Sequence, residues 1–596
     1  MTHVFNTERG FKDEYVDGLV AAYSRYLERV PGASGVMSVT APAEGRASVI
    51  IGGGSGHYPA FAGLVGPGLC DGAIIGDIFT SPSSEQAYRC IRALDGGAGV
   101  LLSFGNYSGD VMNFGLAARR ARAEGIDVRI VVVTDDVASA PLKRRADRRG
   151  VAGGFFVYRA AAAAAHEGRP IEDVERIARR VNEATFSFGL AFGGCTFPGR
   201  TEPLFIVAPG RIDLGLGIHG EPGIDTIDWV PADELADVIV RPILAERPSG
   251  ARRAQVLLNG LGNTKYEELF VLYRSISRRL ANEGIDVVDP EVGEYVTSLD
   301  MAGCSLSICW LDDEIEQVLA APARSPGYRT GQAYEPVGRS TSPSTIRPSG
   351  ASVGRPDAAA SVTAASEPAT KLARATAIAL AAMAAAVADI EEDLGRLDSV
   401  AGDGDHGVGM VRGLSAAAAA AAASGPLGSD VLRSAALAFS DAAGGASGAL
   451  WGAGLLGAAE AVAAVGGSAR RELEDSPDIA SIHRLLAAAL AAITELGGAV
   501  PGDKTMIDAL APFVAAFGAS PEGSVAAAWI AAAAVADQAA VATANLASKK
   551  GRATVHGDRS RGTPDPGAIS MAVALAAAGR AWLSRDEGPR LPDDLP

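Results

Sequence analysis

The chain has 596 residues, 48% hydrophobic and 21% charged, with a formal net charge of −17 at pH 7. That length exceeds what one hydrophobic core can organise, so several globular domains are expected. The acidic balance excludes nucleic acid and an anionic membrane surface as partners, and any phosphate substrate must find its cations locally.

Residues 47–56, Ala-Ser-Val-Ile-Ile-Gly-Gly-Gly-Ser-Gly, read as a buried strand running into a glycine loop that ends at His57. The loop does not satisfy GxGxxG, because His57 stands where the last glycine is required, and no GxxxxGK[ST] occurs in the chain. It does let a ligand approach bare backbone at Gly53, Gly54, Ser55 and Gly56. Further strands are expected at Gly99–Ser103 and Val128–Thr134, with helix between them at Gly115–Glu124. Alternating strands and helices argue for a parallel, doubly wound sheet, whose ligands gather at the carboxyl ends of the strands. His57 and Asp110 follow two different strands on that same side. A lone aspartate there is as often a helix cap.

A second α/β unit begins near Gly189, with strands at Gln255–Leu258, Asp286–Val288 and Ser305–Leu311. It carries Leu214-Gly-Leu-Gly-Ile-His219-Gly-Glu221-Pro-Gly, a histidine ringed by glycines that is open to a small ligand or is simply a surface turn. From about Pro322 to Pro368 the composition turns to Pro, Ser, Thr, Arg, Gly and Ala without periodicity, the mark of a flexible interdomain linker. Beyond Lys371 the pattern is helical and rich in alanine, with candidates at 372–394, 430–443, 451–464, 482–497, 506–517, 524–548 and 568–583. Small side chains let helices approach closely, so a compact bundle is expected.

The connections of that bundle hold the unusual residues. Asp398, Asp403 and Asp405 fall within eight residues, interleaved with glycines. Residues two apart in extended backbone point the same way, and all-oxygen ligands suit Mg²⁺, which usually serves a phosphate. The spacing of a calcium loop is absent. Three more glycine loops follow, at 444–452, 501–508 and 551–568. Each alone is an ordinary helix–helix turn; together they suggest a shared nucleotide, since loops that open helices offer N–H groups to phosphate oxygens.

The five cysteines (Cys70, Cys90, Cys195, Cys304 and Cys309) include no CxxC pair and read as reduced core residues of a cytoplasmic protein. The amino terminus lacks the basic-then-apolar order of a signal peptide. Alanine runs such as 528–547, broken by Asp537 and Gln538, read as buried helices and not as membrane spans.

GGGSGH at 52–57, NYSGD at 106–110, GLGIHGEPG at 215–223, SLDMAG at 298–303, WLDDE at 310–314, GDGDHG at 402–407, GGASGAL at 444–450, PGDKTMIDAL at 501–510 and DPGA at 565–568 occur in one order. In these motifs the chain resembles the dihydroxyacetone kinase family in its single-chain, ATP-dependent form, across about 5–325 and 370–585. The resemblance implies a multidomain protein: two α/β subdomains that bind a ketose (1–188 and 189–328), a linker (329–368) and an all-α eight-helix barrel for Mg-ATP (369–596). It implies that His219 holds the ketose as a hemiaminal and that His57 and Asp110 move protons. It implies that Gly53, Gly54, Ser55, Gly56, Tyr58, Phe61 and Asn106 line the ketose, and that Asp398, Asp403 and Asp405 hold two Mg²⁺ ions. ATP would lie against His406, Gly407, Gly445, Ala446, Ser447 and Gly448, then Asp503, Lys504, Thr505 and Met506, then Arg552, Asp565, Pro566 and Gly567. A homodimer is implied, in which one chain's ATP module is able to serve the other's ketose site.

Some positions depart from the family pattern. Gly56-His57-Tyr58-Pro59-Ala60-Phe61 stands where GHEPAH is common, Gly105-Asn106-Tyr107 where Lys-Asn-Tyr is common, and Gly409 where an asparagine usually follows GDGDHG. Loss of the lysine is expected to open space for a ketose larger than dihydroxyacetone, with erythrulose first. Rival readings are a member that also splits FAD to cyclic FMN, a ketose sensor without catalysis, and a form fed by a phosphoprotein. Intact His219, Asp110 and metal carboxylates speak against the sensor.

Overall fold

A computed structural model describes residues 3–8, 10–331, 369–400, 402, 404–520, 523–551 and 560–586. After helix α1 (Phe11–Ala22), the first sheet has six strands: β1 (Leu27–Arg29), β2 (Gly35–Ser38), β3 (Ser48–Ser55), β4 (Gly72–Ile78), β5 (Val100–Gly105) and β6 (Val128–Val133). Their spatial order is β1-β2-β4-β3-β5-β6. The run β4-β3-β5-β6 is parallel, and β1 and β2 join it antiparallel. Every residue of β3 is buried. Its side chains alternate between two cores, as strand geometry requires. Ile50 packs with Ile74, Val100 and Leu102 under helices α2 (Ser84–Leu94) and α3 (Ser108–Ala123). Val49 and Ile51 pack with Ala73, Leu101 and Val131 against α4 (Gly154–His166), which is followed by α5 (Ile171–Ala184).

The second sheet is built differently from the first. Its strands are β7 (Thr185–Ala191), β8 (Arg211–Leu214), β9 (Asp225–Asp228), β10 (Arg253–Gly260), β11 (Asp286–Val287), β12 (Glu291–Gly293) and β13 (Gly303–Trp310). The path β10-β13-β7-β8-β9 is antiparallel throughout, and only β11 and β12 lie parallel to β10. Antiparallel neighbours need no crossover helix, so loops replace helices between β7, β8 and β9. Helices α6 (Ala232–Leu244) and α7 (Tyr266–Asn282) cover one face. The expected boundary at 188/189 falls inside β7, which pairs with β13 and β8 of the second sheet and also bridges to Asp136 at Ser187. After α8 (Asp313–Leu319), the start of the supposed linker is ordered. Strands β14 (Ala323–Arg324) and β15 (Arg329–Thr330) form a hairpin. Its Arg324 and Gly327 amides donate to the carbonyls of Pro67 and Gly63 at 2.9 and 2.8 Å. Residues 332–368, the rest of that stretch, lie outside the described residues.

The carboxyl-terminal half is helical: α9 (Lys371–Ala388), α10 (Glu391–Asp398), α11 (His406–Ala422), α12 (Gly428–Ala443), α13 (Gly445–Ala463), α14 (Gly467–Asp475), α15 (Ile479–Gly497), α16 (Ile507–Gly518), α17 (Val525–Ala542) and α18 (Pro566–Asp586). Apart from the short α10 and α14, eight long helices remain, and their contacts close a ring from α9 through α11, α12, α13, α15, α16, α17 and α18 back to α9. That is a barrel. Its core joins Phe439 stacked on Trp451 with a second aromatic group of Phe513, Phe517 and Trp529. Three helical stretches (Lys371–Ala388, Ile479–Gly497 and Val525–Asn545) are long and apolar enough to cross a membrane by composition, and only 17–39% of each is buried. The expectation that the alanine runs are buried is thus corrected. In a closed ring each helix turns one face inward, and alanine serves both faces.

Candidate active site

The first wall of the site is built where the parallel strands end. Gly54 lies so close to the end of β4 that a Cβ there would stand 2.7 Å from the Thr80 amide and 2.9 Å from the Phe79 Cα. Bare backbone lets Phe79, itself at φ +56°, fold over the glycine loop. The Phe79 ring stacks on His57 with centroids 4.9 Å apart and planes 13° from parallel.

His219 arrives from the second sheet, on the loop joining β8 and β9. Its Nε2 lies 3.1 Å from Nε2 of His57. The outer nitrogens fix the tautomers. Nδ1 of His57 lies 2.8 Å from the Thr297 carbonyl, which can only accept, so that nitrogen carries hydrogen. Nδ1 of His219 lies 2.9 Å from Oε1 of Glu221, and the His219 amide donates to Oε2 at 3.0 Å. With both Nδ1 positions donating, a hydrogen bond between the facing Nε2 atoms needs one proton on either of them. Phe79 and Tyr107 stand edge-on to His219, at centroid distances of 5.1 and 4.6 Å. Burial and the nearby Glu221 charge push the Tyr107 phenol well above its ordinary range, so it stays neutral.

Glu221 is held in turn. A Cβ on Gly217 would stand 2.1 Å from Glu221 Oε2 and 2.6 Å from Arg149 Nη1, so glycine is required for these groups to meet. Arg149 is buried and pairs with Asp136 at 2.7 Å. Burial alone would lower its pKa, but the charges of Asp136 and Glu221 raise it above the usual guanidinium range. Asp110 is in the first turn of α3, buried, and does not cap that helix, whose N-cap is Tyr107.

Opposite stands the helical half, across a cleft of about 250 Å³. Gly54, Phe79, Tyr107, Asp110 and His219 line one wall, and Asp398, Asp405, His406 and the Gly444–Ser447 loop line the other, with Lys504, Asp565 and Pro566. Asp398 closes α10 and accepts from the Gly404 amide at 2.8 Å. Asp405 precedes α11 and accepts from the Thr80 hydroxyl at 3.0 Å, while burial pushes its carboxyl above the usual range. Burial likewise holds the His406 imidazole below its ordinary range, against the pull of Asp398 and Asp405. Asp565 accepts from the Ala568 amide at 2.7 Å. Burial, then the charges of Asp508 and Asp398, push Asp565 up to about 7.

Three half-buried carboxylates around one cleft offer oxygen alone and fit a hard divalent cation, whose charge would offset their mutual repulsion. Among the described residues no three such groups close on a single point. Asp403 lies outside those residues, as does Arg552.

Several expected contacts fall elsewhere. Lys504, at φ +62°, lines the cleft, yet its ammonium is engaged by the carbonyls of Leu546, Ser560 and Thr563, so it also staples two loops. Asp503 and Thr505 are taken up in the turn, by the Val500 and Asp508 groups. Met506 is buried, and like Gly407, Gly448 and Gly567 it supports the cleft without lining it. On the ketose side Asn106 donates to the carbonyls of Ala146 and Arg148. Tyr58 turns outward against Tyr15, and Phe61 packs over Gly53. Gly53, Ser55 and Gly56 lie behind Gly54. The space at Gly105 is not open, because a Cβ there would meet the Tyr107 ring at 2.9 Å. Sequence reasoning passed over Phe79, Thr80, Arg149 and Glu221. The apolar run of β4 and the glutamate two residues after His219 were the available signals.

Residues 17–327 match the Dak1 domain and residues 400–580 the DAK2 domain. The chain belongs to the dihydroxyacetone kinase family. With membership in this family comes the reaction class, a phosphotransferase with an alcohol acceptor. The chain is 49% identical over 580 residues to the D-erythrulose kinase of Mycolicibacterium smegmatis, covering 96% of this chain and 97% of that one. It is 47% identical over 587 residues to the L-erythrulose 1-kinase of the same organism, covering 97% and 99%. A solved dihydroxyacetone kinase from C. freundii, in complex with AMP-PNP and Mg²⁺, is 28% identical with a TM-score of 0.51, covering 97% of this chain and 99% of that one.

Proposed function

We propose that the protein transfers the terminal phosphoryl group of ATP to a terminal hydroxyl of a short-chain ketose, erythrulose before dihydroxyacetone, held as a hemiaminal on His219. The observation that carries this reading is the placement of His219: its ring is clamped between Glu221 and His57 and opens on a cleft whose far wall bears Asp398, Asp405 and Asp565. Erythrulose is favoured by the relatives, a D-erythrulose kinase and an L-erythrulose 1-kinase.

The His219 Nε2 lone pair adds to the ketose carbonyl carbon. The proton shared with His57 moves to the former carbonyl oxygen, leaving a hydroxyl and an imidazolium facing Glu221. Only a carbonyl forms such a bond, so polyols are not retained, and tethering raises the effective concentration of the attacking hydroxyl. Asp110 accepts that hydroxyl's proton as the oxygen attacks phosphorus. Asp398, Asp403 and Asp405 would hold Mg²⁺, two ions by the resemblance, which neutralises the phosphate charge that this acidic protein would otherwise repel.

Purified protein assayed with ATP against D-erythrulose, L-erythrulose and dihydroxyacetone is expected to show its highest kcat/KM with an erythrulose. A higher value for dihydroxyacetone than for both enantiomers rejects the substrate. ¹³C NMR of carbonyl-labelled ketose tests the tether: the carbonyl signal should vanish on binding to the wild type and persist with His219→Ala. Persistence with the wild type rejects the hemiaminal.

A further inference from the structure

Behind His219 three charged side chains are packed in series: Glu221, Arg149 and Asp136. All three are buried, and none of them lines the cleft. Each comes from a different segment. Glu221 is on the loop joining β8 and β9, Arg149 precedes α4, and Asp136 follows β6. Asp136 grips one edge of the guanidinium, accepting from Nε at 2.9 Å and lying 2.7 Å from Nη2. Nη2 also donates to the Gly215 carbonyl at 3.0 Å. The other oxygen of Asp136 accepts from the Ala138 amide at 3.0 Å, which fixes the carboxylate in turn. Nη1 is left over. It makes no hydrogen bond among the described residues, and it lies beside Oε2 of Glu221 above Gly217.

The remaining titratable groups around Glu221 add no positive charge. Tyr107, at the start of α3, is neutral, and burial pushes the Cys195 thiol, on the loop after β7, up to about 12. Asp135 accepts from the Val151 and Gly153 amides, both at 2.8 Å, and Asp300 from the Thr196 amide at 2.6 Å. Arg149 supplies the fixed cation beside Glu221.

That cation matters because one count of protons on Glu221, His219 and His57 allows two arrangements. In the first, Glu221 is a neutral acid donating to Nδ1 of His219, and the His219 hydrogen sits on Nε2, directed at the His57 Nε2 lone pair. His219 then has no lone pair to offer a carbonyl. In the second, the Glu221 proton has moved to Nδ1 of His219 and the Nε2 proton has passed to Nε2 of His57. Nε2 of His219 is now bare, and His57 holds the proton that the carbonyl oxygen takes up as the carbon–nitrogen bond forms. The second arrangement places negative charge on a buried carboxylate, which is costly unless a cation stands beside it.

We propose that Arg149 is a positioning residue for ketose capture: held by Asp136 with Nη1 beside Glu221, it keeps Glu221 ionised and so leaves the Nε2 lone pair of His219 free for the carbonyl carbon. It rests on the kinase reading above. Its effect falls on the capture step and not on ATP.

The test uses the full chain. Arg149→Met should lower kcat/KM for the ketose about 30-fold while changing KM for ATP less than about threefold. The acid limb of its kcat/KM profile should move up by about one pH unit or more, because Glu221 without the cation takes a proton at higher pH. Arg149→Lys keeps the charge without the planar fork, and should recover most of the loss and bring the limb back. In a Glu221→Gln background, adding Arg149→Met should cost less than about threefold more, since the charge to be balanced is gone. Gly217→Ala keeps both groups but sets a methyl where it would meet Oε2 at 2.1 Å and Nη1 at 2.6 Å, so it should part them and move the limb the same way. It decides the matter where Arg149→Met does not fold. A limb within about 0.3 unit of wild type in the variant that folds, no recovery with lysine, or full additivity with Glu221→Gln each overturns the proposal. A wild type that loses the carbonyl ¹³C signal of bound ketose yet phosphorylates none overturns the kinase reading alone, and the part played by Arg149 is then read from the pH profile of that signal loss. A wild type that keeps the signal overturns both.

Discussion

Asp565 shows how strongly one carboxyl depends on what shares its cleft. Burial and the charges of Asp508 and Asp398 lift its pKa from 3.8 to about 7, and Lys504 only partly opposes them. A carboxyl raised on folding keeps a proton that the unfolded chain has already released. Its stabilising contribution is therefore complete below about pH 4 and is lost as pH rises through about 7. Protein stripped of divalent ions should melt at progressively lower temperature from pH 5 to pH 7.5. Added Mg²⁺ should restore more at pH 7.5 than at pH 5, because it favours the charged form. Asp565→Asn keeps a side-chain acceptor for the Ala568 amide and removes the titration, so the variant should melt at or above wild type at pH 7.5 without Mg²⁺. Scanning calorimetry decides it, and a variant that melts clearly lower there refutes the argument. At this scale the motifs led to residues that the structure brings close together. His57, Asp110, His219, Asp398 and Asp405 all reach the site. The sequence held no hint of the bonds Lys504 makes at the cleft, since nothing in PGDKT announces that carbonyls 546, 560 and 563 converge on the ammonium. It was silent on Arg149, whose meeting with Glu221 depends on Gly217 and not on any local pattern.

Elements were legible where burial is complete and obscure where it is shared. Strands β3, β5, β10 and β13 lie inside their sheets and, with the edge strand β6, read as apolar runs, whereas the short β1, β2, β8, β9 and β12, at or near sheet edges, went unseen, as did the internal β4 and β7. Helix α11 was missed because its alanine run offers no period, although it carries His406 and follows Asp405. That helix is placed by a close approach to α12. A Cβ on Gly413 would stand 2.8 Å from both the Ala443 Cβ and the Phe439 ring. Neither neighbour has room, since Phe439 is stacked on Trp451 and fully buried. Gly413→Ala should therefore push α11 away from α12 and cost about 1–3 kcal/mol, although alanine is otherwise the better helix former. Because Asp405 and Gly444 lie at the near ends of these two helices, nucleotide affinity measured by titration calorimetry should fall as well. An unchanged melting temperature would show that the ring yields more easily than its packing suggests.

At the scale of the whole molecule, the separation of cores has a consequence for the cut chain. The ketose half closes its sheets around its own clusters, down to the β14–β15 hairpin that bonds back to residues 63–67. The helical half closes its ring from α9 to α18 around another. Residues 3–331 and 369–586, produced as separate polypeptides, should each fold, because neither loses a partner from its core. The first alone should still abolish the carbonyl ¹³C signal of bound ketose, since His57, His219, Glu221 and Thr297 all belong to it. The second should bind Mg-ATP. Neither should phosphorylate anything alone, because the cleft takes one wall from each. Mixed together they should recover transfer, with a rate that rises with the concentration of either half and falls as salt is added, since an ion pair between Arg412 and Asp77, at 2.5 Å, joins the two halves. In the intact chain the same contact is intramolecular, and its effective concentration is set by the covalent connection. Its rate should then be independent of protein concentration and far less sensitive to salt. Equal salt sensitivity in the cut and intact proteins would mean that ionic strength acts on nucleotide binding and not on the meeting of the two halves.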